Sequence, residues 1–322
     1  MPIDSRAGGI PASPDAPRPR RDPRVLREPP ARVCQMRLWA GKSEPKRAFG
    51  PPDTAAGYYG RVSETEPFDS TVAHPARVYD YWLGGKDNFA ADREAGDEVL
   101  RAKPGIRQNV RANRAFLGRC VRFLAADAGI RQFLDIGTGI PTAGNTHEVA
   151  LEVDPGCRVV YVDNDLMVLR HAQALLTSAT GSVAYLDMDA RDAGKILAAA
   201  ADTIDFGQPV AVMLIAILHL IPDGDDPWQL VADLMAATAP GSYLAITHPA
   251  SDVTPDASAR ASRAYNDNVV TPQTRRGRDE VARFFEGLEL VEPGLVQLPD
   301  WRPAPGDPPA PTSGYGAVAR KP

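Results

Sequence analysis

The chain has 322 residues, of which 43% are hydrophobic and 24% are charged, as in an ordinary globular protein. Its formal net charge of −5 does not favour nucleic acid as a partner, and no apolar run approaches the roughly 18 residues that a membrane span requires. Three cysteines, Cys34, Cys120 and Cys157, show neither disulfide nor metal-ligand spacing. We therefore expect a cytoplasmic protein that binds no nucleic acid, membrane or metal ion.

Residues 1–65 differ in composition from the rest of the chain. Of the 31 prolines, 11 fall within the first 52 positions, and residues 1–50 carry 11 Lys and Arg against 5 Asp and Glu. Proline lacks a backbone donor, and so few apolar residues cannot offset the entropy lost on ordering. We predict a disordered arm over 1–65, a helical cap over 66–130 and a sheet domain over 131–322.

The cap is predicted to contain three helices. The first covers 75–83 and ends at the Gly84-Gly85 pair, because glycine readily adopts the left-handed conformation that closes a helix. The second starts after Asp87 or Asn88, either of which can act as its N-cap. The third runs from about 106 to 128, with apolar residues at helical spacing.

The sheet domain begins with an apolar strand that runs into a glycine turn. The strand covers 132–136, and the turn is Gly137-Thr138-Gly139. Such a junction places backbone N–H groups and a helix N-terminus against a bound ligand. A second apolar strand ends in Asp163, where a carboxylate can accept hydrogen bonds from ribose hydroxyls. The two segments together predict a cofactor that contains a nucleoside.

The residues around the turn bear on which nucleoside cofactor this is. Dinucleotide sites use the pattern G-x-G-x-x-G, but Thr142 stands at the third glycine position. Asp135 precedes the first glycine, where it would repel a pyrophosphate but could accept a hydrogen bond from an ammonium group. S-adenosylmethionine (SAM), with its ribose, adenine and cationic methionine, fits these residues best.

Strands and helices alternate through the rest of the chain. Further strands are predicted at 158–162, 182–187, 209–217, 242–247, 289–297 and 314–319, and helices at 143–152, 165–178, 192–201, 227–238, 257–267 and 277–286. This alternation predicts an α/β fold with a doubly wound, mostly parallel sheet. The last two strands are expected to form a hairpin that adds an antiparallel strand.

Two histidines and an arginine-rich stretch are candidates for work on an acceptor. His219, after the fourth strand, is the preferred general base, and His248, after the fifth, is the second choice. Either can instead be a hydrogen-bonded structural histidine. Arg275, Arg276 and Arg278 could bind an anionic acceptor, but a solvated helix start is the expected interpretation.

Several segments resemble class I, Rossmann-like SAM-dependent methyltransferases, and more closely a family known simply as S-adenosyl methyltransferases. They lie within residues 74–322 and are ARVYDYWLGGKDNF (76–89), RANRAF (111–116), FLDIGTGIPT (133–142), NTH (145–147), YVDND (161–165) and GLELVEPG (287–294). The first and third together are quite specific. The long segment before residue 65 departs from the short start that is usual in this family.

The resemblance implies a seven-stranded sheet of order 3-2-1-4-5-7-6, with strand 7 antiparallel. It places SAM across the carboxyl ends of strands 1, 2 and 4, where the strand order reverses. The methionine part of SAM is assigned to Asp135 and to the turn residues Gly137, Thr138 and Gly139.

The same resemblance assigns the nucleoside part and the methyl group. Asp163 is expected to bind the ribose hydroxyls, and Asn164 to line the adenosine. Asp189 is expected to reach the exocyclic amine of adenine, with the backbone of Ala190 nearby. The segment from Ala216 to His219 is expected to form the floor beneath the methyl group.

Three functions are compatible with these residues. We favour methyl transfer from SAM to a small-molecule acceptor by in-line displacement. The second is a SAM-binding sensor or partner protein without transfer activity. The third, an NAD-dependent oxidoreductase, is disfavoured by Thr142. The residues identify neither the acceptor atom nor the oligomeric state.

Overall fold

The computed structural model describes residues 69–165, 167, 168, 170, 171, 183–304 and 312–322. The predicted arm over 1–65 and most of the predicted helix over 165–178 lie outside the described residues. Among the described residues, no helix is both long enough and apolar enough to cross a membrane.

Within the described residues, three helices precede the first strand of the sheet. They are α1 (Pro75–Leu83), α2 (Ala90–Ala102) and α3 (Ile106–Ala126). Helix α1 ends as predicted at Gly84, whose φ of 87° lies in the left-handed region that glycine adopts without strain.

The predicted N-cap residue of α2, Asp87 or Asn88, is wrong. The helix begins after Phe89, whose N–H donates to the carboxylate of Asp92 at 2.8 Å. The expected N-cap residues, Asp87 and Asn88, instead contact α1. The backbone N–H of Asp87 and the side-chain amide of Asn88 both donate to the carboxylate of Asp80 at 2.9 Å. Asp80 therefore organises the turn between α1 and α2.

Eight strands of the described part of the chain form one sheet. They are β1 (Gln132–Ile136), β2 (Arg158–Asp163), β3 (Val183–Asp187), β4 (Ala211–Ile215), β5 (Tyr243–Pro249), β6 (Glu289–Leu290), β7 (Val296–Gln297) and β8 (Gly314–Arg320). Their order is β3-β2-β1-β4-β5-β8-β6, with β7 also paired to β8. Strands β1 to β5 run parallel, and β8 runs antiparallel to β5. The predicted order 3-2-1-4-5-7-6 is confirmed, with β8 as the antiparallel strand.

The predicted strand over 289–297 is two short strands rather than one. Strands β6 and β7 both pair with β8, and a turn separates them. Pro293 has no N–H to donate, and Gly294 has a φ of 83°, so neither can continue the ladder. The N–H of Gly294 instead closes the turn by donating to the carbonyl of Val291 at 2.9 Å.

Helices cover both faces of the sheet. Those described in full after β1 are α4 (Thr146–Val153), α5 (Ala193–Ala200), α6 (Pro227–Ala236), α7 (Pro255–Asn266) and α8 (Arg278–Ala282). Apolar side chains of α3 and α4 pack on one face of the sheet, and those of α5 and α6 pack on the other. Strand β4, predicted to be buried on both faces, is buried at every residue. A third apolar cluster joins α1 and α2 to α7, so the cap rests on a helix of the sheet domain.

Candidate functional site

A cleft of about 300 Å³ lies at the carboxyl ends of β1, β2, β4 and β5 and is lined also by residues of α1, α3 and α7. This edge is where the chain order of the sheet reverses, the usual ligand position in such folds. All the residues predicted to hold the cofactor or to act in catalysis line it: Asp135, Gly137, Thr138, Gly139, Asp163, Asn164, Asp189, Ala190, Ala216 and His219.

The glycine turn is shaped by its contacts with β2 and with the segment after β4. Gly137 has a φ of 76°, and its N–H donates to the carbonyl of Val162 at 2.8 Å. A Cβ at Gly137 would lie 2.5 Å from the side chain of Ile217. Gly139 has a φ of 67°, and its N–H donates to the carboxylate of Asp163 at 2.8 Å. These two N–H groups are therefore hydrogen-bonded to residues of β2. The sequence instead predicts that they face a ligand.

The start of α4 is also occupied by protein groups. The carboxylate of Glu148 accepts from the N–H groups of Gly144 at 2.6 Å and Asn145 at 3.1 Å. The N–H of His147 donates to the hydroxyl of Tyr161 at 2.7 Å. A pyrophosphate at this helix start would meet a carboxylate and donors that are already bonded, which argues against a dinucleotide.

Asp163 retains the hydrogen-bonding capacity that a ribose needs. Its half-buried carboxylate accepts from the N–H of Gly139 at 2.8 Å and from the N–H of Asp165 at 3.0 Å, one on each oxygen. An ionised carboxylate has about four acceptor positions, so about two remain for ribose hydroxyls. Burial raises the pKa of Asp163, opposed by these two backbone bonds. The geometry fits the predicted role.

Asp135 is a buried carboxylate that faces the cleft beside the turn. It accepts a hydrogen bond from the hydroxyl of Thr146 at 2.6 Å. Burial raises its pKa to about 6, a shift that Thr146 and the charge of Arg114 oppose. A desolvated carboxylate with open acceptor positions suits a cationic ligand group, because an incoming ammonium stabilises the ionised form.

Asp189 lies in the cleft wall but is engaged by Arg191. Arg191 Nε donates to Asp189 Oδ1 at 2.9 Å and Arg191 Nη2 to Oδ2 at 2.6 Å, and the Arg191 side chain lowers the pKa of Asp189. The Arg191 N–H takes a further position on Oδ1, so about one position on Oδ2 stays open. One open position is enough to accept a hydrogen bond from the exocyclic amine of adenine. Asn164 is exposed at the rim, and Ala190 adjoins Asp189 along the wall.

Ala216 directs the chain across the floor of the cleft. Its φ of 56° is left-handed, an uncommon conformation for a residue other than glycine, and its N–H donates to the carbonyl of Thr247 at 3.3 Å. This bend at the end of β4 lays Ile217 against Gly137 and leads into a short 3₁₀-helix over Leu218–Leu220 that carries His219.

The two candidate histidines have different environments. Both line the cleft, but the buried Nδ1 of His219 has no hydrogen-bond partner in the described parts of the chain. Burial lowers its pKa to about 3, so the imidazole is neutral. His248 donates from Nδ1 to the carbonyl of Pro249 at 3.0 Å, so its Nε2 accepts from Arg276 at 3.0 Å. Both ring nitrogens of His248 therefore have hydrogen-bond partners within the protein, whereas Nδ1 of His219 has none among the described residues.

The prediction of a solvated arginine stretch is wrong for two of its residues. Arg276 is fully buried and donates to the carboxylate of Asp223 at 2.7 Å and to the carbonyl of Leu218 at 2.9 Å. Arg275 lines the cleft, and its buried Nε and Nη1 have no hydrogen-bond partner among the described residues. Nothing in the local sequence distinguishes these neighbours from solvated arginines.

The cap supplies an apolar and aromatic wall opposite the sheet. The cleft-lining side chains of this wall include Tyr79, Trp82, Ile106, Val110, Leu117 and Tyr265. Tyr79 accepts a hydrogen bond from the amide of Asn113 at 2.9 Å and donates to the carbonyl of Val110 at 3.2 Å. A wall of this kind accommodates the body of an organic molecule.

Known proteins resemble this chain over most of its length. Residues 61–322 match the sequence profile of the family described as S-adenosyl methyltransferase. A protein of the DUF574 family from Streptomyces avermitilis MA-4680 is 46% identical, with a TM-score of 0.75, over 79% of this chain and 99% of its own. A candidate methyltransferase from Thermobifida fusca YX is 41% identical, with a TM-score of 0.73, over 79% of this chain and 96% of its own. The search of curated proteins gave no match.

The profile covers the cap and the whole sheet domain, and the residues of the cleft suit a ribose, an adenine and a cationic tail. The chain therefore belongs to the S-adenosyl methyltransferase family, and its cofactor is S-adenosylmethionine.

Proposed function

We propose that this protein transfers the methyl group of SAM to a small-molecule acceptor by in-line displacement. The observation that carries the proposal is a single cleft with two chemically different ends. One end presents the carboxylates of Asp135 and Asp163, and the other presents His219 and Arg275 with buried polar atoms that lack protein partners in the described residues. A cleft that only stored SAM would not need the second end.

The residues at the first end would fix the cofactor. Asp163 would accept from the ribose hydroxyls through the positions that Gly139 and Asp165 leave open. Asp135 would accept from the methionine ammonium, and Asp189 from the adenine amine through its one open position. When bound, SAM supplies a methyl group on a sulfonium, which is already a good leaving group.

The remaining work of the protein is alignment. Holding the two reactants in line can lower the barrier by about 7–11 kcal/mol. Two features fix the floor of the cleft: the close contact between Gly137 and Ile217, and the left-handed bend at Ala216. His219 stands on that floor, where its neutral imidazole can accept a hydrogen bond from an attacking hydroxyl or amine. The proton of such a group becomes strongly acidic as its bond to carbon forms, so even a weakly basic imidazole can take it.

The cap would exclude water from the reaction. His74, which precedes α1, contacts Asp165 after β2, with Nδ1 and Oδ2 2.7 Å apart. The N–H of His74 also donates to Asp92 of α2 at 3.0 Å. The cap is thus attached to the sheet edge beside Asp163. A cleft enclosed in this way and about 300 Å³ in volume favours a small-molecule acceptor.

Transfer of an isotope-labelled methyl group tests the proposal. The wild-type protein would be incubated with methyl-labelled SAM and a panel of hydroxyl-, amino- and carboxyl-bearing small molecules. We expect label in an organic product and stoichiometric S-adenosylhomocysteine (SAH). Tight binding of SAM and SAH without transfer to any member of the panel would contradict the proposal and favour a SAM-binding sensor.

A further inference from the structure

Arg275 is a cationic side chain in the wall of the cleft, and none of the described residues gives it an anionic partner. Its Nε and Nη1 are buried and have no hydrogen-bond partner in the described parts of the chain. Burial lowers the pKa of Arg275 to about 10, so the guanidinium stays charged at neutral pH. Removing a charge from water without a partner is costly, so such groups are normally paired.

The neighbouring Arg276 shows how this chain pairs a buried arginine when the role is structural. Its guanidinium donates to the carboxylate of Asp223 and to the carbonyls of Leu218 and Ile221. It also lies over the ring of Trp228, 5.1 Å from the centroid. Arg275 has none of these contacts, although it occupies the next position in the same segment.

The surroundings of Arg275 are positive or neutral. Lys103 is buried nearby, and its pKa is lowered to about 8 by burial and by the charge of Arg275. The ammonium of Lys103 donates to the hydroxyl of Ser258 at 3.2 Å. The cleft wall around Arg275 includes Tyr265, Thr271 and Gln273, none of which carries a negative charge at neutral pH. This end of the cleft therefore favours an anion.

We propose that the acceptor is a small organic acid whose carboxylate binds the Arg275 guanidinium while its apolar body packs against the aromatic wall of the cap. A carboxylate matches the planar donor fork of arginine, and the charge-assisted bonds would compensate the desolvation of Arg275. This inference rests on the proposed methyl transfer and names its substrate class.

The position of Arg275 also orients such an acceptor. Thr274, its neighbour, donates its N–H to the carbonyl of His219 at 2.7 Å, so the loop and the floor are joined. The charge of Arg275 lowers the pKa of His219, second only to burial, which places the two groups in the same region. An acid anchored at Arg275 therefore has its body beside His219 Nδ1 and the end of β4.

Matched acids and amides test the inference by binding alone. The SAH-loaded protein would be titrated calorimetrically with para-hydroxybenzoate and octanoate and with their neutral amides. Hydrogen bonds to a charged group contribute about 1.5–3 kcal/mol, so at least one acid should bind about 10–100-fold more tightly than its amide. In Arg275→Gln the acid should bind no better than the amide, and Arg275→Lys should be intermediate because it retains the charge but not the fork.

Arg260→Gln provides the control, because it removes one positive charge from an exposed position of α7. It should retain the preference for acids, SAH binding should be unchanged in every variant, and no variant should have a lower melting temperature than the wild type. Equal affinity of acids and amides for the wild type, an acid preference that survives Arg275→Gln, or the failure of both acids to bind would overturn the inference.

The readouts separate the inference from the proposed function. Transfer of labelled methyl to neutral molecules alone would sink the inference and leave methyl transfer standing. Arg275-dependent binding of acids by a protein that transfers no methyl group to any acceptor would leave anion recognition standing and sink the proposed function.

Discussion

The two ends of the cleft differ in how completely the protein satisfies its own polar groups. At the cofactor end, Asp163 and Asp189 already accept hydrogen bonds from neighbouring N–H groups and keep only a few positions open. At the acceptor end, His219 and Arg275 have buried nitrogens without partners among the described residues. The two carboxylates of the cofactor end are therefore held in place by donors of the protein itself, whereas the buried nitrogens of His219 and Arg275 depend on a ligand for partners.

This difference has an energetic consequence. A pre-bonded carboxylate adds little desolvation when the cofactor enters, because its geometry and part of its hydrogen bonding exist beforehand. An unpaired buried cation destabilises the fold until a ligand arrives, as is common where binding residues are selected for function rather than stability. The predictions below therefore compare residues that are satisfied by the protein with residues that are not.

The largest effect is expected for the arginine pair. Arg276→Met should lower the free energy of unfolding by about 3–5 kcal/mol, because the carbonyls of Leu218 and Ile221 and the Nε2 of His248 all lose their buried donor. Arg275→Met should leave that free energy unchanged or raise it, because it removes an unpaired desolvated charge. Urea unfolding of both variants measures the difference, and equal losses would show that Arg275 is paired like its neighbour.

The ribose carboxylate should matter next. Asp163→Ala should weaken SAM binding about 100-fold, because two hydrogen bonds to a charged group are lost at about 1.5–3 kcal/mol each, partly offset by water. Asp187→Ala is a matched control, since Asp187 lies beside Asp163 in the β2–β3 register but is exposed and outside the cleft. Calorimetry should show unchanged affinity in the control, and a similar loss in both would remove the assignment of Asp163.

The two histidines should separate turnover from stability. His219→Ala should lower kcat about 100-fold with SAM affinity unchanged, because it removes the acceptor for the nucleophile's proton. His248→Ala should instead lower the free energy of unfolding by about 1–3 kcal/mol, because Arg276 Nη1 loses a partner. Turnover of the best acceptor and urea unfolding, measured on both variants, check this. A kcat effect confined to His248→Ala would reverse the assignment.

The smallest effect is a pH dependence of cofactor binding. The pKa of Asp135 is raised to about 6 by burial, so lowering the pH through that value protonates the carboxyl and removes its attraction for the ammonium. SAM affinity should fall about 10-fold between pH 7 and pH 5. Asp135→Asn should bind more weakly at pH 7 and lose most of this dependence. A slope that persists in Asp135→Asn would assign the titration to Asp163 or another group.

The cofactor end could be predicted from the sequence because its determinants are local. Asp135, the turn and Asp163 follow directly from strands that are apolar throughout, and the sheet brings successive strand ends together. The strand order was likewise predictable, through the resemblance to a family with a constant topology. The hydrogen bonds of the turn could not be predicted from the sequence, because the N–H of Gly139, in the turn after β1, donates to Asp163 at the end of β2.

The acceptor end could not be predicted because it is assembled from distant segments. Arg275 and Arg276 are identical in type and adjacent in the chain, yet one faces the cleft and the other binds Asp223. The path of the loop after α7 determines which arginine faces the cleft. That path depends on hydrogen bonds to other elements, such as the one from the N–H of Thr274 to the carbonyl of His219. Side-chain type and spacing carry no such information.

Calorimetric titration of the wild-type protein with SAM, SAH and NAD tests the central claim most directly. We expect SAM and SAH to bind at one site per chain and NAD not to bind, because the N–H groups of the turn and of the start of α4 are already bonded to Val162, Asp163, Glu148 and Tyr161. Binding of NAD without a response to SAM or SAH would contradict the account.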